Sequence, residues 1–157
     1  MPSPQHEVAP SRLAGRLLIL CGVVGVTTGG LPFLVAALRL AACAWAESGV
    51  EWAAYRLDSL GLSLEWAALS SAWGTMLGVL LLAAGVGWWR GRAWAPAVTL
   101  VYAVGGLTVT GVDLAIFVVL ARPGAERTNM IALDSIAFAA AAAVLIALIA
   151  WWRRQPS

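Results

Sequence analysis

Four apolar stretches, near Leu13 to Leu38, Ala67 to Trp89, Trp94 to Ala121 and Met130 to Trp152, take up most of the chain. Each is long enough to cross a bilayer as an α-helix, which needs about 20 residues at a rise of about 1.5 Å to traverse a hydrocarbon core of about 30 Å. The hydrocarbon interior offers no water to backbone N–H and C=O groups, so a lipid-facing segment must satisfy them within itself. Composition points the same way: 61% of the 157 residues are hydrophobic and 11% are charged, far from the balance of a soluble domain. The expected fold is all-α, a four-span transmembrane antiparallel helix bundle. It forms a single membrane domain over residues 12–154, behind a disordered cytoplasmic tail at residues 1–11 (MPSPQHEVAPS) that contains three prolines.

The first span also has traits of a secretory signal. Arg12 and Arg16 precede its apolar run, and Leu40-Ala41-Ala42-Cys43 has the look of a lipoprotein cleavage box. However, the run from Leu17 to Leu38 exceeds the signal core of roughly 7 to 15 residues, and Arg39 abuts the box. The segment is therefore read as an uncleaved span.

Orientation follows from the arginines, since the chain has no lysine. Arg12, Arg16, Arg90, Arg92, Arg153 and Arg154 fall on one side, and Arg39, Arg56, Arg122 and Arg127 on the other. The excess places both termini in the cytoplasm, as for a bacterial inner-membrane protein. Trp88, Trp89, Trp94, Trp151 and Trp152 mark the same boundary, because indole rings favour the headgroup level. A net charge of +2, thinly scattered, gives no basic surface for nucleic acid. The expected partners are the lipid bilayer and either another membrane protein or further copies of the chain.

The ends of the first and third spans are similar, LPFLVAALR (Leu31 to Arg39) against LAIFVVLAR (Leu114 to Arg122). In that register Gly22 aligns with Gly105 and Thr27 with Thr110, and the second and fourth spans both close on WWR. The chain can thus be read as two helical hairpins, 12–90 and 94–154, related by a parallel repeat. The first hairpin carries an additional segment at residues 45–66, WAESGVEWAAYRLDSLGLSLEW, whose interleaved aromatic and charged residues suit an interfacial stretch in the first outer loop.

Two aspartates interrupt this apolar pattern. Asp113 and Asp134 lie ten and eleven residues from Pro123, the expected hairpin tip, so they should sit at one depth on adjacent helices. Counted from the other side, Asp113 is 19 residues from Trp94 and Asp134 is 17 from Trp151, about 28 and 25 Å at 1.5 Å per residue. Both then fall in the outer leaflet, where a carboxylate costs less than the roughly 2.5 to 3.5 kcal/mol of the bilayer centre. The candidate intramembrane polar site comprises Asp113, Asp134, Arg39, Arg122, Thr110 and Ser135. Ser70, Ser71, Thr75, Thr108, Asn129 and Arg127 are further donors at that level. Two adjacent carboxylates call for a cation or a shared proton. The alternative is a structural role, with the carboxylates accepting interhelical hydrogen bonds that fix helix order.

Nothing else in the sequence carries catalytic chemistry. His6, in the tail, is the only histidine, and HExxH, CxxC and GxSxG patterns are missing, so neither a metal site nor a covalent nucleophile is expected, nor any cofactor. Cys21 and Cys43 would stand about 33 Å apart on a continuous helix, too far to pair. Gly74 with Gly78, and Gly111 with Ala115, supply small-residue spacings suited to close helix packing or a dimer face. Two functions fit: a non-catalytic scaffold or accessory subunit of a membrane complex, and a small oligomeric carrier or proton-coupled transporter built on the carboxylate pair.

Overall fold

A computed structural model describes residues 12–27 and 59–154. The tail, the remainder of the first span, most of the 45–66 segment, Arg39 and Cys43 lie outside the described residues. Among those described the chain is all-α, with no strand. Helix α1 covers residues 12–27, α2 Leu64–Trp89, α3 Ala95–Val119 and α4 Ala125–Trp152. Among the described residues three helical stretches are long and apolar enough to cross a membrane: Ala68–Trp89, Ala95–Val119 and Ala125–Trp152, of 22, 25 and 28 residues. At about 1.5 Å per residue they measure about 33, 38 and 42 Å against a hydrocarbon core of about 30 Å.

Local chemistry sets the helix ends. Ser63 caps α2, its hydroxyl accepting from the Trp66 N–H at 3.2 Å, and this satisfies one of the first-turn donors. The helix therefore starts at Leu64, ahead of the apolar run. At its other end Gly91 takes φ +64°. The Gly91 N–H donates to the Trp88 carbonyl at 3.2 Å and the Arg92 N–H to the Gly87 carbonyl at 2.8 Å, the Schellman closure that a left-handed glycine allows. Pro96 then sits in the first turn of α3, where its missing N–H costs nothing.

Consecutive helices run antiparallel, and glycine sets their separation. Gly15 and Gly22 on α1 face Gly85 and Gly78 on α2, both pairs seven residues apart. A Cβ placed on Gly78 would lie 2.6 Å from the Val26 nitrogen, and one on Gly85 would lie 2.7 Å from the Ile19 nitrogen. The two backbones thus touch directly, as small residues permit in membrane helices. Gly78, expected from its GxxxG spacing to pack closely, is engaged here within the chain. Beyond this seam, Gly105 meets Leu77 of α2, while Gly106 meets Ala141 of α4.

The two ends of the bundle are closed differently. At one end the Trp88 indole N–H donates to the Thr99 hydroxyl at 2.9 Å, and its ring packs edge-on against Trp151 at 5.1 Å, joining α2, α3 and α4. Thr99, itself buried, donates its own hydroxyl hydrogen bond to the Ala95 carbonyl at 2.8 Å. Arg12, Arg16, Arg90, Arg92, Arg153 and Arg154 gather at this end. At the opposite end Leu60 is buried with Phe117 and Ala121, and Leu62, Met130 and Ile131 pack around them. The last residues of the 45–66 segment thus dock on the α3–α4 turn, and the Arg122 N–H donates to the Leu60 carbonyl at 3.0 Å. Helix α4 begins five residues before its apolar run because Arg127, in its first turn, donates to the Val118 carbonyl at 2.6 Å and closes the end of α3.

Candidate functional site

The register of α3 against α4 brings the two aspartates together. A Cβ on Gly106 would lie 3.2 Å from the Ala141 Cβ. Seven residues further along α3 is Asp113, and seven residues back along α4 is Asp134. Seven residues is two helical turns, so the same faces meet again, and the carboxylates lie within electrostatic reach of each other. Asp113 is 18 residues from the start of α3 and Asp134 is 18 from the end of α4, about 27 Å in both cases. They therefore share one level, toward the end away from the Trp88–Trp151 contact.

Asp113 is buried, and its Oδ2 accepts a hydrogen bond from the Ser70 hydroxyl at 2.8 Å. This bond joins α2 to α3. Asp134 is placed otherwise: its Oδ2 is buried and has no hydrogen-bond partner. Ser70 and Asp113 thus form a polar contact between α2 and α3, and Asp134 of α4 lies at the same level with its Oδ2 open.

The remaining predicted residues are not gathered there. Thr110 donates to the Gly106 carbonyl at 2.7 Å, and Thr108 donates to Val104, so these hydroxyls serve their own helix. Thr75 likewise donates to Ser71 at 2.8 Å. Ser135 and Asn129 are exposed. Arg122 lies across Gly61, where a Cβ would sit 2.6 Å from its Nε. Gly61 has φ +66°, a conformation in which only glycine is unstrained. Arg127 is occupied by the α3 terminus. Among the described residues neither carboxylate pairs with an arginine, and no group of three or more His, Cys, Asp or Glu is arranged to hold a metal ion.

Ser70 was legible as one of several hydroxyls at the right level, but which of them bonds Asp113 depends on helix rotation. The Trp88–Thr99–Trp151 contact was not anticipated; its only sequence signal is a threonine one turn into the span that follows the tryptophan turn. Comparison with known proteins gives no match to any family model, curated protein or solved structure.

Proposed function

We propose that this chain is a non-catalytic helical membrane protein, a scaffold or accessory subunit that presents α4 to another membrane-spanning helix. The observation that carries this reading is how little of α4 the chain itself covers: of its 28 residues only Ala141 and Leu148 are buried. Along the uncovered side run Ser135, Ala139, Ala143 and Ala147, spaced four apart and all exposed. Apolar side chains gain nothing by leaving lipid for another apolar surface, so partner helices associate where small residues allow close approach. Larger side chains flank the ridge, with Ile136 and Ile146 68% and 67% exposed. In this reading the Ser70–Asp113 bond fixes the order of the helices behind the presented face. Both termini are cytoplasmic, on the six-to-four distribution of arginines across the two ends.

A small proton-coupled or cation-coupled carrier is the second reading, favoured by one feature, the unpartnered Asp134 Oδ2 beside Asp113. A buried polar atom without a partner costs on the order of 1 to 3 kcal/mol, and such a cost is retained where a site has work to do. The two readings separate experimentally. Ala139→Ile with Ala143→Ile, built on the ridge, should release a stoichiometric partner that co-purifies with the parent chain from native membrane, while the helical content stays unchanged. Retention of that partner would remove the scaffold reading. In liposomes, Asp113→Asn with Asp134→Asn should leave any proton-dependent flux unaltered; a stable double variant that abolishes such a flux establishes the carrier instead.

A further inference from the structure

The arginine-rich end of the bundle carries an electrostatic imbalance that the scaffold reading does not use. Among the described residues the acidic side chains are Glu65, Asp113, Glu126 and Asp134, and all four lie toward the opposite end. Among the described residues, therefore, no carboxylate lies near Arg12, Arg16, Arg90, Arg92, Arg153 and Arg154 to neutralise their field. Of these, Arg153 and Arg154 stand apart. They border a shallow, open depression of about 380 Å³ on the outer face of α4, lined among the described residues also by Ile146, Ile149 and Ala150. The guanidinium pair lies just past Trp151 and Trp152 at the helix terminus, and the apolar floor runs from there into the span.

We propose that this depression seats an anionic phospholipid, with the phosphate held by Arg153 and Arg154 and the first part of one acyl chain laid over Ile146, Ile149 and Ala150. Two physical arguments select this occupant. Guanidinium groups offer paired donors that match phosphate oxygens, and here they stand at the depth where headgroups lie, as the neighbouring tryptophans indicate. A soluble anion would use the arginines and leave the isoleucines without a counterpart, whereas a lipid engages both. The carboxyl end of α4 opposes the binding, because its unsatisfied carbonyls carry a partial negative charge. A single arginine would be partly cancelled by that charge, and the adjacent pair outweighs it. The two side chains are exposed and accept no other assignment among the described residues.

The test uses the full chain in detergent and measures lipid retention by native mass spectrometry. The probes are phosphatidylglycerol, phosphatidylcholine with the same acyl chains, and glycerol 3-phosphate as the headgroup alone. Phosphatidylglycerol should be retained at least tenfold better than phosphatidylcholine, and glycerol 3-phosphate should not compete with it. Arg153→Gln with Arg154→Gln should weaken retention on the order of 25-fold, at about fivefold for each arginine near a membrane surface. Ala150→Trp keeps every charge and fills the depression, and it should weaken retention by a similar factor. Arg90→Gln with Arg92→Gln removes the same charge from the same end on α2 and should leave most of the preference in place. Equal retention of the two lipids, full competition by glycerol 3-phosphate, an Ala150→Trp variant that binds like the parent, or an Arg90/Arg92 variant as weak as the Arg153/Arg154 variant would each overturn the assignment. All substituted positions are exposed, and unchanged helical content and elution volume confirm that each variant is folded.

Discussion

Replacing both Gly78 and Gly85 with alanine is the sharpest test of how this bundle is held together. Each substitution adds one methyl group, and alanine is a better helix former than glycine by roughly 0.8 to 1.0 kcal/mol, so the isolated helix would gain. Packing reverses the sign. The new Cβ at position 78 would meet the Val26 nitrogen at 2.6 Å, and the one at 85 would meet the Ile19 nitrogen at 2.7 Å, where ordinary contact begins at 3.4 Å. The atoms opposite are backbone and cannot rotate away, so α1 must move out by about 0.7 to 0.8 Å, the difference between those distances. A gap of 0.5 to 1 Å forfeits a quarter to a half of the dispersion between the separated surfaces, and overpacking of this kind costs about 1 to 3 kcal/mol. Both sites push on one seam, so the effects should not add; the backbone clash puts the cost at the top of that range, about 3 kcal/mol, and less a helix-propensity gain of about 1.6 to 2.0 kcal/mol for the two sites the double variant should lose about 1 kcal/mol net. Reversible unfolding in mixed micelles, followed by tryptophan fluorescence and far-ultraviolet circular dichroism, measures this loss. Gly111→Ala is the internal control: its Cβ would find Phe138 at 3.6 Å, an ordinary contact, so the helix-propensity gain of about 0.8 to 1.0 kcal/mol should stand unopposed. A Gly78/Gly85 variant as stable as the parent, or a control that loses as much, refutes the backbone contact of α1 with α2.

Other substitutions probe the two closed ends. Ser70→Ala removes the donor to Asp113 and should cost on the order of 0.6 kcal/mol, the mean for interhelical hydrogen bonds in membrane, with about 1.7 as the ceiling; the same unfolding assay reads it. Asp134→Leu removes the unpartnered oxygen and, under the scaffold reading, should stabilise the bundle by about 1 kcal/mol or more, a gain visible as a rise in thermal midpoint. Trp88→Phe keeps a ring against Trp151 but abandons Thr99, so it should cost about 0.5 to 1.5 kcal/mol. Thr99→Val in that background should then add almost nothing, a coupling that a double-mutant cycle detects. Gly61→Ala strains a left-handed backbone and strikes Arg122, and should cost on the order of 1 to 3 kcal/mol, with partial recovery when Arg122 is shortened to alanine.

The helices were legible because hydrophobic length is a strong signal: α2 and α3 begin and end within three residues of the apolar runs that announce them. The start of α4 was less visible, since Ala125-Glu126-Arg127-Thr128-Asn129 is polar and reads as a loop. It is helical because its arginine reaches back to Val118, a long-range contact that local composition does not encode. Asp113 and Asp134 could be paired from distance to the turn alone, because the hairpin between them is short and antiparallel geometry converts residue counts into depth. Their hydrogen bonding could not. Thr110 and Ser135 lie as close in sequence to the carboxylates as any donor, yet one hydroxyl satisfies its own helix and the other faces outward. Rotation of a helix about its axis is set by side-chain packing, and an Ala, Leu and Val alphabet gives that rotation little signature. The α1–α2 seam had one: glycines seven apart in two spans, which meet pairwise in the antiparallel arrangement.

The positions of these contacts also constrain what the chain can present. Close backbone packing commits one side of α2 to α1, and Ser70 and Trp88 commit its two ends to α3 and α4. Helix α3 is held on both sides, by Leu77 at Gly105 and by Ala141 at Gly106. Among the described helices between α2 and the carboxyl end, α4 alone is fixed along one narrow line, through Ala141, Leu148 and Trp151. A helix tied at both ends but covered along so small a part of its circumference can receive a neighbour without rearranging its own bundle. That separates the surface available for a partner, on α4, from the residues that hold the fold, on α1 to α3. Substitutions at Ala139 and Ala143 should therefore alter association with little change in stability, and those at Gly78 and Gly85 should alter stability first.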